Sequence, residues 1–343
     1  MPLADRALVV GINRYQGISD LAGPENDAQA FFDWVTSPTG GGLDPNQAKL
    51  IRSSDFPAAA SVDDERPAKE QIERFFTEVD NAADANNRAG LGLKAGKRIW
   101  LFFSGHGFAP ALDTSGVLMA NATLGRIHNV SAMLWANRLY EGGWFDDVFL
   151  FQDACRSRIP NGGLNPPFLD PQRQAPRNQQ RRRFYAFSAK DRKLAKELPF
   201  PDGQTRGIFT STLLQGLSEA RDPRTGAVTT TYLKEYLQAN MKRLLSSADL
   251  SNEDIAKMPE VFDPDPFDII APPAAAQVQD FPVRIFAAAG RAARVINTAF
   301  AAVASANPAP DEWPLRLPPG LYNLVVDGAQ DKVFQVTGPT DVR

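Results

Sequence analysis

The stretch KRIWLFFSGHG (Lys97–Gly107) decides how the rest of the chain is read. Ile99 to Phe103 form an unbroken apolar run, short enough to be a strand buried on both faces. The run stops at Ser104, and two glycines then flank His106. DDVFLFQDACR (Asp146–Arg156) repeats the design and delivers Cys155 just past its own apolar run. If the two strands are neighbours in a parallel sheet, His106 and Cys155 meet at its carboxyl edge, where open α/β sheets bind their ligands. A thiol with an ordinary pKa of about 8.5 is activated by an adjacent imidazole that takes its proton or stabilises the thiolate. Gly107 lets its N–H come close to a substrate carbonyl, and the N–H of Cys155 can join it as an oxyanion hole. Taken singly, a strand-end cysteine is usually packing and a histidine between glycines is usually a solvated turn residue. The pair carries the reading. His128, in a loop-like segment, is read as a surface residue.

Working outward, RALVVGI (Arg6–Ile12), AKLIRS (Ala48–Ser53) and RFYAFSA (Arg183–Ala189) read as further strands, with Phe267–Ile270 as the last. Helical periodicity covers 24–35, 67–83, 131–140, 208–220 and 230–246. Pro24 suits a first turn, and Glu25 and Asp27 suit the positive end of that helix. Short apolar strands alternating with amphipathic helices predict an α/β/α sandwich around a mainly parallel six-stranded sheet. APPAAAQVQD then reads as a linker, followed by short strands punctuated by Pro and Gly. The expected organisation is a first domain over 1–272, a linker over 273–280 and a small β-rich accessory domain over 281–343.

Composition narrows the class. The 343 residues include 43% hydrophobic and 22% charged side chains, enough for a sizeable core. With 37 basic against 40 acidic residues, the net charge of -3 predicts no nucleic-acid surface. No apolar run reaches the roughly 18 residues of a membrane span, and no signal peptide is read at the N-terminus. Cys155 is the only cysteine. It can form no internal disulfide and no multi-thiolate metal site, and it fits a reducing, cytoplasmic location.

The histidine and cysteine motifs, 49 residues apart, match the caspase pattern of a cysteine motif with its histidine about 50 residues upstream. With ALVVGINRY, LAGPENDAQAF, LFFSGHG, FLFQDACR and GIFTSTLLQGL in the same order, the chain resembles the caspase-like cysteine peptidases. Within them it resembles the metacaspase and bacterial caspase-homologue branch. The resemblance spans most of Arg6 to Ile270. It implies a thiol endopeptidase with Cys155 as nucleophile, His106 as general acid and base, and the amides of Gly107 and Cys155 holding the oxyanion. No cofactor is required for that chemistry. It also implies a pocket for a basic residue, built by Asp27, Ser104 and Asp153, and hence cleavage after Arg or Lys. A carboxylate pairs with a guanidinium for about 4 kcal/mol at 4 Å and an effective dielectric near 20, and repels an aspartate by a similar amount.

Two features depart from the branch: Arg156 stands where histidine is common, and Ser157 where glycine is usual. The family's calcium site finds no clear match, so the metal entry stays unknown and calcium activation stays open. The segment 158–184 is rich in Pro, Gly, Asn and Arg and reads as an exposed loop. Its Arg173, Arg177, Arg181, Arg182 and Arg183 are either a solvated basic patch or a self-cleavage site, since caspase-like chains are often cut between the two parts of the catalytic domain. Two other functions remain: an inactive caspase-like scaffold, and a peptidase of the same fold with Asp or Asn specificity. The expected partners are a protein or peptide substrate, and a protein bound through the C-terminal module.

Overall fold

The computed structural model describes residues 4–110, 114–156, 163–176, 178–189, 197–199, 203–223, 225–245, 259–270, 280–297, 301–318, 320–336 and 338–343. The expected linker lies almost wholly outside them. By compactness the chain divides into a unit of Met1–Ser218 with Leu233–Phe267, and a second of Glu219–Tyr232 with Asp268–Arg343.

The first unit is built on six strands: β1 (Arg6–Gly11), β2 (Ala48–Arg52), β3 (Arg98–Gly105), β4 (Asp147–Ala154), β5 (Arg182–Phe187) and β6 (Glu260–Phe262). Their order across the sheet is β6-β5-β4-β3-β1-β2. The first five run parallel and β6 closes the edge antiparallel to β5. Every residue of β4, and all of β3 after Arg98, is buried. That is what helices on both faces of a parallel sheet require.

Helix α1 (Pro24–Thr36) covers one face. Its Phe31 stacks on Phe102 at 4.6 Å, and Trp100 stacks on Phe149 at 3.9 Å. Helices α2 (Lys69–Arg88) and α3 (Ala132–Gly142) cover the other, with Ile72, Phe76, Trp135 and Leu139 packed on Leu101, Phe103 and Leu150. Each such side chain contributes roughly 1.5–3 kcal/mol by leaving water. Among the described residues, helices α4 (Ile208–Glu219) and α5 (Thr230–Leu245) complete the α elements. Among the described residues, no helix is long and apolar enough to cross a membrane.

The sixth strand is not the one expected. Asp268–Ile270 pairs antiparallel with Val228–Thr229, while the central sheet ends on Glu260–Phe262. Three residues at a half-wet edge leave no periodicity to read. Phe267 still reaches the core, against Phe149 at 5.4 Å, without belonging to the sheet.

In the second unit, Trp313–Leu317, Phe281–Ile285 and Thr340–Val342 form a three-stranded sheet. Ala302–Ala306, Ala293–Asn297, Gly320–Val326 and Lys332–Val336 form a four-stranded one. Alternate residues of both, including Val283, Ile285, Val295, Tyr322 and Leu324, make one shared core.

Candidate active site

β3 and β4 pair in parallel register, Ser104 opposite Asp153 and Gly105 opposite Ala154. His106 and Cys155 are therefore the next residues on adjacent strands, and both line one small cleft of about 80 Å³ at the carboxyl edge. Cys155 is half-buried and not in a disulfide. Gly107 packs so tightly on the nucleophile's backbone that a Cβ there would lie 2.5 Å from the Cys155 carbonyl oxygen and 2.8 Å from Ala154 Cβ. Only glycine permits that approach. The end of β4 is clamped by Ser188, whose Oγ accepts the Ala154 N–H at 3.1 Å.

Nε2 of His106 lies 2.8 Å from the Ser19 carbonyl. A carbonyl only accepts, so Nε2 carries the proton in the neutral ring and Nδ1 keeps its lone pair for a proton from another group. Arg156, directly after the cysteine, is fully buried. It is paired with Glu260, donates to the Thr114 carbonyl at 3.0 Å and lies over the Phe187 ring. Arg156 is thereby tied to the edge strand β6.

Asp27 and Asp153 converge on the same cleft, 1% and 5% exposed. Asp27 does not act as a helix cap. Its carboxylate accepts Ser104 Oγ at 3.0 Å and the Gly207 N–H at 2.9 Å. Asp153 accepts both the N–H and the Oγ1 of Thr210, at 3.0 and 2.8 Å, in the first turn of α4, where the helix dipole favours an anion. Gly207 separates the two: a Cβ there would collide with the Asp153 carboxylate. Burial outweighs these bonds. It pushes Asp153 up to about 6, and burial together with Asp153 pushes Asp27 well above the usual carboxylate range. The cleft thus holds carboxylates whose hydrogen bonds come from uncharged donors.

A third carboxylate was not anticipated. Glu197 opens a two-stranded hairpin (Glu197–Pro199 with Thr205–Gly207) and lines the cleft, accepting the Ala22 N–H at 3.3 Å. It stands 42 residues beyond Cys155 in a polar stretch without periodicity, and only the hairpin brings it back.

The arginines expected to feed the cleft lie elsewhere. Arg182 pairs with Asp147, the first residue of β4, through two bonds of 2.7 and 2.8 Å. At about 3.3 Å per residue, β4 separates it from Cys155 by roughly 25 Å. Arg181 donates to the carbonyls of Tyr140 and Glu141, Arg183 to Asn137, and Arg173 to the carbonyls of Gly142 and Leu93 while stacking on Trp144. Arg177 lies outside the described residues. The four described arginines fasten the 163–184 strap to the far end of the sheet. Arg182, in the middle of the expected self-cleavage cluster, therefore sits at the end of β4 opposite the thiol of the same chain.

A larger groove of about 480 Å³ runs between the β2 edge and α2, lined by Lys49, Arg52, Phe56 and Phe75. It contains neither cysteine nor histidine. No group of three or more His, Cys, Asp or Glu side chains fit to hold a metal occurs among the described residues.

A family model described as "Caspase domain" matches residues 4–264. No curated protein matches. Among solved structures, the chain is similar to caspase-1 from Spodoptera frugiperda, at 12% identity and TM-score 0.44, over 77% of this chain and 88% of that one. It is also similar to a protein from Geobacter sulfurreducens, at 17% identity and TM-score 0.41, over 76% and 95%.

Proposed function

Because this chain belongs to the caspase-domain family of cysteine peptidases, we propose that it is an endopeptidase that cuts after arginine or lysine, with Cys155 as nucleophile and His106 as acid and base. The observation that carries the reading is the convergence of the thiol, the imidazole and three carboxylates on one cleft. The thiol proton passes to Nδ1 of His106 and the sulfur attacks the scissile carbonyl carbon. The N–H groups of Gly107 and Cys155 take the developing oxyanion. The imidazolium returns its proton to the leaving amine, giving a thioester. Water then attacks the thioester, giving up a proton to the imidazole, and the carboxylic product leaves as the thiol re-forms. None of these steps requires a cofactor.

Specificity follows from the sign of the pocket. Asp153, on the rung two residues before the reacting pair, Asp27 of α1 and Glu197 all line the cleft, so a guanidinium or ammonium relieves their repulsion while an aspartate adds to it. Among the described residues, the β-rich module beyond Asp280 contributes none of those lining the cleft, and we read it as a module that recruits a protein target. A chain ending near Ala274 should then still cleave short peptides.

A fluorogenic peptide panel with Arg, Lys, Asp or Asn before the cut, run with and without calcium and against Cys155→Ala, tests the reading. Turnover after Arg or Lys that vanishes in the variant is expected. Preferred cleavage after Asp, or activity persisting in folded Cys155→Ala, sinks it. A folded protein that turns over none of these peptides returns the scaffold alternative.

A further inference from the structure

The loop joining β1 to α1 contains Tyr15, which is 3% exposed. Its hydroxyl is not spent on the core. It accepts the backbone N–H of His106 at 2.9 Å, and its ring stands edge-on to the imidazole, centroids 4.8 Å apart at 61°. Gly105 leaves room for this, since a Cβ there would lie 2.6 Å from the hydroxyl oxygen.

The loop then turns back on itself. The Tyr15 N–H donates to the Asp20 carboxylate at 2.7 Å and the Leu21 N–H to the Asn13 carbonyl at 2.8 Å. Between these closures the Ser19 carbonyl meets Nε2 of the same imidazole. One loop therefore holds His106 at three points: the main-chain N–H, the ring edge and the outer ring nitrogen. Its base is itself anchored. The N–H groups of Asn13 and Arg14 donate to Ser53 Oγ, and the Asn13 carboxamide oxygen accepts the Glu25 N–H. Burial holds the Tyr15 hydroxyl well above the usual phenol range, so it stays protonated and takes no part as a base.

We propose that Tyr15 is a positioning residue for His106. Its hydroxyl and ring, with the turn it closes on Asp20, keep Nε2 on the Ser19 carbonyl and leave Nδ1 as the nitrogen available to Cys155. The proposal rests on the Cys155–His106 reading above. An imidazole free to rotate would share its lone pair with solvent, and small misplacements of a reacting group cost rate steeply.

Tyr15→Phe keeps the ring and removes the acceptor. It should lower kcat about tenfold to a hundredfold with KM unchanged. The pH profile of Cys155 alkylation by iodoacetamide should also move toward that of an ordinary thiol. Asp20→Ala, at an exposed position, loosens the same turn and should shift both readouts in the same direction. A merely structural role would lower the melting temperature and leave kcat and the alkylation profile unchanged well below the melt. That result overturns the proposal. If Tyr15→Phe does not fold, an unchanged alkylation profile in Asp20→Ala overturns it instead. His106→Ala separates the two readings: if it leaves the alkylation profile as in wild type, the Cys155–His106 reading fails. If it shifts the profile and Tyr15→Phe does not, only the role of Tyr15 falls.

Discussion

Asp153→Asn should make the protein more stable and its cleft less useful. Asp153 is withdrawn from water beside Asp27, and its ionisation lies at about 6 against an ordinary 3.8. At ~1.4 kcal/mol per tenfold, keeping it charged at pH 8 costs about 3 kcal/mol. The folded state binds that proton more tightly than the unfolded chain. The associated stability is therefore complete below pH 3.8 and is lost as the pH rises through about 6. Asparagine resembles the protonated acid and can still accept from the Thr210 N–H and Oγ1. The variant should gain about 3 kcal/mol at pH 8, roughly half of that at pH 5 and almost nothing at pH 3. For a unit of this size the gain at pH 8 corresponds to about 6–12 °C in Tm. Urea or thermal melts at the three pH values measure it. Arginine peptides, assayed in parallel, should lose on the order of 2–4 kcal/mol of kcat/KM, because a charged partner is left unpaired. A variant no more stable than wild type at pH 8, or a difference that does not grow between pH 4 and 7, would refute the reasoning.

Three further outcomes are expected. Glu197→Gln removes the carboxylate beside the buried pair and should raise KM for arginine peptides about twofold to fivefold with kcat little changed, on the scale of one partly screened charge pair; steady-state kinetics checks it. Gly207→Ala drives a Cβ into the Asp153 carboxylate, so arginine selectivity should collapse while the rate of Cys155 alkylation stays as in wild type. Arg182→Gln leaves the buried Asp147 carboxylate without its cation. It should lower stability by about 3 kcal/mol without changing the pattern of cleavage fragments seen by mass spectrometry of the active protein; loss of a wild-type cleavage product would identify a processing site there instead.

The sequence showed most of the first unit because its signals are strong ones. β3 and β4 are continuous apolar runs, and α2 carries Ile72, Phe75, Phe76 and Val79 at helical spacing, so their places follow from burial alone. Asp27 and Ser104 became legible only through the family resemblance, since an acid in a first helical turn otherwise reads as serving the dipole. Glu197 carried no signal, because a lone carboxylate in a polar segment is placed by tertiary pairing. The placement of the arginine cluster was hidden for a related reason. Composition marks 158–184 as loop, yet Arg182 is a strand residue whose guanidinium faces Asp147 and lies over the Phe267 ring. Edge strand β6 was hidden by its length, and the Phe267–Ile270 segment, with three apolar residues in four, was read in its stead.

The rung that joins Ser104 to Asp153 is followed by the one that joins Gly105 to Ala154, and the two reacting side chains come one step later. Side chains change face with every residue along a strand. Inserting or deleting one residue within either strand would turn its selecting carboxylate or hydroxyl and its reacting side chain to the wrong faces at once. Descendants of this chain can therefore vary in length before β3 or between α3 and β4, but within these two strands only by substitution. A designer inherits the same freedom: exchanging side chains at 27, 153 and 197 rewrites what the cleft accepts while the spacing between choosing and cutting stays fixed by the backbone.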